Sequence, residues 1–226
     1  MTRPRLLDLF CGAGGAGMGY HRAGFDVTGV DINPQPRYAG CEFVQGDALE
    51  YLAAHGHEFD AIHASPPCQA YTSLGAMHKD REYPDLLAAT RCLLIASGRP
   101  WVIENVPGAP MTGITLCGSM FGLGADCRDG AWHQLRRHRL FESSVFLLSP
   151  ACQHEGRPVG VYGNGGGNEG RAYLPGINGY TGNARERRDA MGIDWMNRRE
   201  LSQAIPPAYT EHVGRQLMAV VRERAA

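Results

Sequence analysis

Cys68 is the residue of this 226-residue chain that is best placed for nucleophilic chemistry. It stands in the stretch ASPPCQAYTSLG, residues 64–75, directly behind Pro66 and Pro67. A structural cysteine usually fills space in a helix or strand, where two prolines would remove backbone hydrogen-bond donors. The prolines instead restrict the backbone that carries the thiol. We therefore interpret Cys68 as a displayed nucleophile held in a fixed position.

A glutamate and a basic cluster are the candidate partners of this thiol. Glu104 follows the apolar residues WVI and precedes NVP, where a buried strand is expected to end. That position favours a functional carboxylate over a surface one. The stretch LRRHRLF, residues 135–141, is predicted to be a strand on which Arg137 and Arg139 point to the same face. The alternative is a solvated basic edge strand.

A glycine turn and two carboxylates indicate a ligand site. In DLFCGAGGAG, Gly12, Gly14 and Gly15 carry no side chains to block a ligand from the backbone N–H groups, although tight packing explains such a turn equally well. Asp31 and Asp47 are each predicted to follow a strand, where a carboxylate can accept hydrogen bonds from ribose hydroxyls. Each alone is typical of a cap or turn, but together they favour an adenosine-containing cofactor.

The elements that must position these residues alternate between strands and helices. Apolar runs predict strands at 5–10, 25–32, 41–47, 59–67 and 101–106, and helical spacing predicts a helix over 85–97. This order predicts an α/β fold with a Rossmann-like, doubly wound and mostly parallel sheet. The carboxyl ends of its strands would bring Cys68, Glu104 and the two aspartates to one edge.

Composition limits the other function classes. The 43% hydrophobic and 20% charged residues are typical of a globular domain, and a net charge of −1 argues against a protein coated in basic charge while allowing a local basic cleft. The absence of an 18-residue apolar run and of a signal-peptide pattern predicts a cytoplasmic location.

The seven cysteines form no CxxC pair, which argues against a disulfide framework or a zinc ribbon. A zinc site built from Cys127, Cys152 and His154, with His133 as a fourth ligand, is an alternative. Its spacing is irregular and contains no paired ligands, so we predict no metal site.

The amino-acid composition changes between residues 156 and 182, which hold ten glycines and few apolar residues that could form a core. We interpret this stretch as a loop-rich insertion without a core of its own. Helical patterning resumes from residue 184 to the carboxyl terminus.

In chain order, the motifs DLFCGAGG, GVDI, GD, SPPCQ, ENV and RRHRLF resemble those of the DNA cytosine-5 methyltransferases. Beyond the glycine-rich stretch, RDAMGIDWM is similar to the family's penultimate motif and SQAIPPAYTEHVG to its last. The resemblance covers nearly the whole chain. It implies the fold of S-adenosyl-L-methionine-dependent methyltransferases, S-adenosyl-L-methionine as cofactor and double-stranded DNA as partner.

The resemblance also implies residue roles. Cys68 would attack carbon 6 of a flipped-out cytosine, Glu104 would protonate N3, and Arg139, with Arg137 secondarily, would orient the base through O2. Phe10 would stack on adenine, Asp31 would hold the ribose, and Asp47 would bind the adenine amino group. The full cofactor set is Phe10, Gly12, Ala13, Gly14, Gly15, Asp31, Ile32, Asp47, Ala48, Pro67 and Gln203. The substrate set is Gln69, Ser73, Asn105, Tyr162, Asn164 and Arg171, with a loop from Gln69 to Lys79 closing over the base.

Two departures from the family pattern shape the expectations. Ser202 and Gln203 replace the usual Gly-Asn of the last motif, and only a short segment is available for target recognition. We therefore predict a catalytic and cofactor-binding core at 1–141, a small glycine-rich recognition lobe at 142–184 and a C-terminal segment at 185–226 returning to the core. So small a lobe predicts recognition of about two to four base pairs. The chain is expected to be a monomer that suits a bacteriophage or minimal restriction-modification system, acting at the nucleoid in the cytoplasm of a bacterial or phage-infected cell.

Two other functions remain open from the sequence. A tRNA cytosine-5 methyltransferase would share these motifs, and a non-catalytic cofactor- and DNA-binding module would share the fold. The intact Cys68, Glu104 and Arg139 argue against the second.

Overall fold

The structure, a computed structural model, describes residues 2–71, 85–161, 172–174 and 177–225. In chain order, the strands are β1 Arg5–Leu9, β2 Asp26–Asp31, β3 Glu42–Gln45, β4 Ala61–Ala64, β5 Trp101–Asn105, β6 Ile114–Leu116, β7 Gly124–Asp126, β8 Trp132–Leu135, β9 Arg139–Ser143, β10 Pro158–Gly160, β11 Ala172–Leu174 and β12 Ile177–Thr181. The helices are α1 Gly15–Arg22, α2 Ala48–His55, α3 Leu87–Ala96, α4 Ala184–Met191, α5 Arg198–Gln203 and α6 Pro207–Ala225. Short 3-10 helices form at Gly56–Glu58, Gln69–Tyr71 and Gly118–Phe121.

The main sheet has seven strands in the order β3-β2-β1-β4-β5-β9-β6. Strands β1 to β5 pair in parallel, whereas β9 is antiparallel to both of its neighbours. The predicted α/β class and mostly parallel sheet are confirmed. Because the chain winds in opposite directions from β1 and β4, the crevice between their carboxyl ends is the point where such sheets bind ligands.

Alternating side chains of the central strands supply two apolar cores. Leu6 faces a core that includes Tyr20 of α1 and Val213 of α6, while Leu7 faces a core that includes Leu52 of α2 and Leu94 of α3. Both faces of the sheet are therefore covered by helices, which explains why its strands are near-continuous apolar runs.

The C-terminal helix α6 packs on α1 at close range. A Cβ at Gly19 would lie 2.1 Å from Thr210 Oγ1, and that hydroxyl donates a 2.8 Å hydrogen bond to the Ala16 carbonyl. The small residue thus lets the two helices touch. Within the described ranges, every helix is too short or too polar to cross a membrane.

A second sheet has the order β11-β12-β10-β8-β7. The glycine-rich stretch was predicted as loops, but the structure places strands β10, β11 and β12 within it. Its few apolar residues Val159, Val161 and Tyr180 are buried because they share a core with residues of α4 and α5. Two strands of this sheet, β7 and β8, precede residue 142, where the sequence predicts the start of the recognition lobe.

Candidate active site

The glycine turn that follows β1 contains three residues in the left-handed backbone conformation. Phe10 has φ of 59°, Gly12 of 49° and Gly14 of 82°, and Phe10 is the one non-glycine residue with positive φ in the described chain. Such strained positions concentrate at functional sites. The Gly12 amide donates a 3.0 Å hydrogen bond to Asp31 Oδ2, and the Trp195 indole donates one of 2.9 Å to the Ala13 carbonyl. The middle of the turn is therefore held by β2 on one side and by Trp195 on the other.

The glycines of the turn differ in the space around them. No described atom beyond its chain neighbours lies within 4 Å of where a Cβ on Gly12 would stand, so the turn is open at this point. A Cβ on Gly15 would lie 2.6 Å from the Ile205 carbonyl oxygen, and one on Gly14 would lie 3.1 Å from the Tyr38 ring. Gly15 thus lets the last sequence motif pack on the turn, while Gly12 faces free space.

The ends of β2 and β3 carry the other predicted cofactor residues. Ile32 directly follows β2, and it is 65% exposed. Asp47 is exposed, and its Oδ1 accepts hydrogen bonds from the Leu49 and Glu50 amides at 2.8 and 3.0 Å, which caps α2. Ala48 is buried, whereas Gln203 is exposed at the end of α5.

Cys68 stands on the segment that follows β4. Asn105, the last residue of the neighbouring strand β5, donates a 3.0 Å hydrogen bond to the Pro66 carbonyl, and its Oδ1 accepts one of 2.9 Å from the Val106 amide. Asn105 is buried, so its side chain supports the cysteine segment. Pro67, Cys68 and Gln69 are partly exposed.

Glu104 and Arg139 form an ion pair beside this cysteine. Arg139 Nε lies 2.9 Å from Glu104 Oε1, with side chains only 12% and 7% exposed. Burial raises the pKa of Glu104, and the positive charge of Arg139 opposes that rise. Burial also raises the pKa of the Cys68 thiol, while Arg139 lowers it and Glu104 raises it further. The three groups are therefore close enough to influence one another's charge.

Tyr20, His63 and Ser65 form a hydrogen-bonded chain that leads to Glu104. The sequence did not single out these three residues. His63 Nε2 is 2.8 Å from Ser65 Oγ, and His63 Nδ1 is 2.9 Å from the Tyr20 hydroxyl. Ser65 hydrogen-bonds Glu104 and lowers its pKa. Burial lowers the pKa of His63 to about 3, so its ring is neutral. The signal in the sequence was a histidine between apolar residues of a strand that runs into the cysteine motif.

Arg137 differs from its predicted placement. The sequence predicts one strand over residues 135–141, but β8 ends at Leu135 and β9 begins at Arg139. Arg137 lies between them, fully buried, and its side chain donates hydrogen bonds of 3.1, 2.7 and 3.1 Å to the carbonyls of Val161, Ser202 and Ala204. It does not share a strand face with Arg139, and it ties the second sheet to the C-terminal segment.

Four predicted substrate contacts lie outside the described residues: Ser73, Tyr162, Asn164 and Arg171. The same holds for most of the predicted closing loop, beyond Tyr71.

Sequence comparison matches residues 4–111 to the family model of C-5 cytosine-specific DNA methylases. The type II methyltransferase M.XorII of Xanthomonas oryzae is 35% identical over 124 residues, which cover 48% of this chain and 29% of that protein. M.AgeI of Thalassovita gelatinovora is 28% identical over 121 residues, covering 46% and 28%. The chain thus spans less than a third of the length of these two relatives.

Structural comparison covers more of the chain. A protein described as a DNA modification methyltransferase encoded within an E. coli prophage superposes over 97% of this chain and 99% of its own, with a TM-score of 0.60 and 15% identity. At that identity the likeness shows a common fold. The sequence match, in contrast, falls on the segment that holds the glycine turn, Cys68 and Glu104. Residues 4–111 of this chain are therefore similar in sequence to the C-5 cytosine-specific DNA methylases.

Proposed function

We propose that this chain is a DNA cytosine-5 methyltransferase that uses S-adenosyl-L-methionine and forms a covalent adduct between Cys68 and a flipped-out cytosine. One observation carries the proposal: Cys68, the Glu104–Arg139 ion pair and an open glycine turn meet at the ligand-binding edge of a doubly wound sheet. The segment that supplies the turn, the thiol and the glutamate matches the family model.

The residues around the turn fit an adenosine-containing cofactor. The free space at Gly12 admits a ligand to the backbone, and the exposed Ile32 offers an apolar surface to a planar base. Asp31 stands between them, at the end of β2, where a carboxylate can accept from ribose hydroxyls. When bound, S-adenosyl-L-methionine supplies an electrophilic methyl group.

Cys68 performs the first step on the base. Its sulfur forms a bond to carbon 6 of cytosine, the C5–C6 double bond opens, and electron density moves toward N3 and makes carbon 5 nucleophilic. The charge of Arg139 favours the thiolate that this attack requires. Burial raises the pKa of Glu104, which favours the protonated carboxyl group that can donate at N3.

The second half of the reaction restores the ring. Carbon 5 would take the methyl group as that group's bond to the donor sulfur breaks and leaves a neutral thioether. Carbon 5 would then lose its proton to a base, N3 would return its proton to Glu104, the C5–C6 double bond would re-form and the thiolate would leave. A cytosine in a duplex cannot reach a thiol fixed on a sheet edge, so the target base must leave the stack. Residues 142–184 would contribute the recognition lobe, and the chain would act as a monomer on duplex DNA in a bacterial or phage-infected cell.

The test measures transfer of radiolabelled methyl groups to duplex DNA and, in parallel, to tRNA. We expect transfer to DNA, loss of that transfer in Cys68→Ala, and full transfer in Cys92→Ala, a matched change at an exposed cysteine of α3. Transfer to tRNA alone would favour the RNA enzyme. S-adenosyl-L-methionine binding without transfer to either polymer would favour the non-catalytic module.

A further inference from the structure

Four potential metal ligands from three separate segments meet at one place away from the cysteine site. Cys117 follows β6, His138 precedes β9, and Cys152 and His154 lie on the irregular connection between β9 and β10. One ligand atom from each lies within 4.8 Å of all the others. Cys117 is buried, His138 is partly exposed, and the other two face solvent, so an ion could enter from the surface.

The separations match those of a tetrahedral ion. Bonds of about 2.3 Å to sulfur and 2.0 Å to nitrogen place a tetrahedral pair of ligand atoms roughly 3.5 Å apart. Cys117 Sγ lies 3.4 Å from His154 Nε2, and Cys152 Sγ lies 3.6 Å from His138 Nε2 and 3.0 Å from His154 Nε2. The four side chains already converge at the spacing that coordination needs.

We propose that Cys117, His138, Cys152 and His154 bind a structural Zn²⁺ ion. Two thiolates and two imidazoles are a ligand set typical of structural zinc, and four protein ligands leave no open position for a substrate. Binding displaces the two thiol protons and leaves zinc with two thiolate and two neutral histidine ligands. The inference is independent of the proposed methyl transfer.

The sequence predicted no metal site, and the set it weighed is not the one that the fold assembles. His133 instead lies 2.8 Å from Asp129 Oδ2 and stacks on Tyr180, and the Cys127 thiol donates to the Ala125 carbonyl. The actual set was missed because Cys117 follows β6 and His138 precedes β9, two neighbouring strands whose pairing the sequence did not predict.

The ion would fasten a long connection to the edge of the main sheet. Residues 144–157 contain no helix or strand, and hydrogen bonds between Gln134 and Gln153 and between Arg136 and Gly156 hold their far end. His138 is the residue between Arg137 and Arg139, and its carbonyl accepts a 3.1 Å hydrogen bond from Arg139 Nη1. A zinc ligand at this position would fix the strand that presents Arg139 to Glu104.

Metal analysis of the purified full chain tests the site. We expect about one zinc per chain, as a closed four-ligand site holds a single ion. Cys152→Ser and His154→Asn should each lower the zinc content at least about fivefold, since each removes one of four ligands. The matched changes Cys92→Ser and His57→Asn, at exposed residues outside the cluster, should leave it unchanged.

A second measurement, made on the unsubstituted chain, tests the zinc site even if a variant fails to fold. The unsubstituted chain, refolded with Co²⁺ in place of zinc, should show the intense visible bands of tetrahedral cobalt and the near-ultraviolet thiolate-to-cobalt band, and zinc should abolish both. A spectrum of octahedral cobalt, a disulfide between Cys117 and Cys152, or zinc retained in both ligand variants would overturn the proposal.

Discussion

At the scale of single residues, burial works against the nucleophile. It raises the pKa of the Cys68 thiol, whereas the proposed attack on cytosine requires the thiolate, and Arg139 is the largest opposing influence. The same burial raises the pKa of Glu104, which suits a proton donor. Arg139 therefore moves the pKa of Cys68 in the direction that covalent catalysis needs, whereas the raised pKa of Glu104 comes from burial, which Arg139 opposes.

Asp31 has a structural and a proposed binding role. Its carboxylate accepts from the Gly12 and Asn33 amides as well as facing the proposed ribose position. Asp31→Asn should weaken S-adenosyl-L-methionine binding by about 1–3 kcal/mol, the scale of hydrogen bonds to a charged acceptor. Calorimetry measures this, with Asp26→Asn at the exposed start of the same strand as control. Equal affinity in both variants would show that the ribose assignment is wrong.

Asp8 predicts a pH dependence of stability. Its side chain is fully buried, and burial raises its pKa from 3.8 to about 8. The folded chain therefore holds this proton while the unfolded chain releases it, so the contribution to stability is lost as pH rises from about 4 to 8. The stability of Asp8→Asn relative to the unsubstituted chain should therefore rise by about 4 kcal/mol between pH 5 and pH 8.

Urea unfolding of both proteins across this pH range measures the difference, which cancels the contribution of other titrating groups. A constant difference between pH 5 and 8 would contradict the raised pKa of Asp8.

At the scale of elements, the sequence predicted all five parallel strands, and the signal is clearest for β1, β4 and β5, whose residues are almost all buried. Helix α2 was not predicted, although Asp47 caps it, since the same aspartate was interpreted as a ligand. The second sheet was missed for a different reason: its apolar residues are few, and its core is completed by α4 and α5 from later in the chain. Local patterns could not reveal that partnership.

Arg137 is a candidate site residue whose contacts could not be predicted from the local sequence either. The catalytic role predicted for Arg137 stays a prediction, and its charge lowers the pKa of both Cys68 and Glu104. Its three hydrogen bonds to main-chain carbonyls are visible only in the folded chain. Arg137→Met would leave those buried carbonyls without their charged donor and should cost about 2–5 kcal/mol of stability. Thermal unfolding checks this against Arg185→Met, whose exposed ion pair should matter little. Comparable losses of stability in the two variants would contradict a structural role for the hydrogen bonds of Arg137.

At the scale of the whole molecule, the proposed recognition lobe at residues 142–184 would limit specificity, because direct readout needs side chains that reach base edges. We expect methylation at a short cytosine-containing site of about two to four base pairs, with DNA affinity that falls steeply as salt rises because phosphate contacts dominate. Methylation sequencing of DNA from an expressing host identifies the site. A unique target of six or more base pairs would require readout through DNA shape or a partner.

The covalent adduct is the central claim, and one trapping measurement tests it directly. Duplex DNA in which every cytosine is 5-fluorocytosine contains the target whatever its sequence, and fluorine at carbon 5 cannot leave as a proton does. With S-adenosyl-L-methionine, the chain should form a denaturation-resistant complex whose adduct mass spectrometry places on Cys68, and Cys68→Ala should form none while Cys92→Ala forms it fully. An adduct on another residue, or no adduct from a chain that methylates ordinary duplex DNA, would contradict the account.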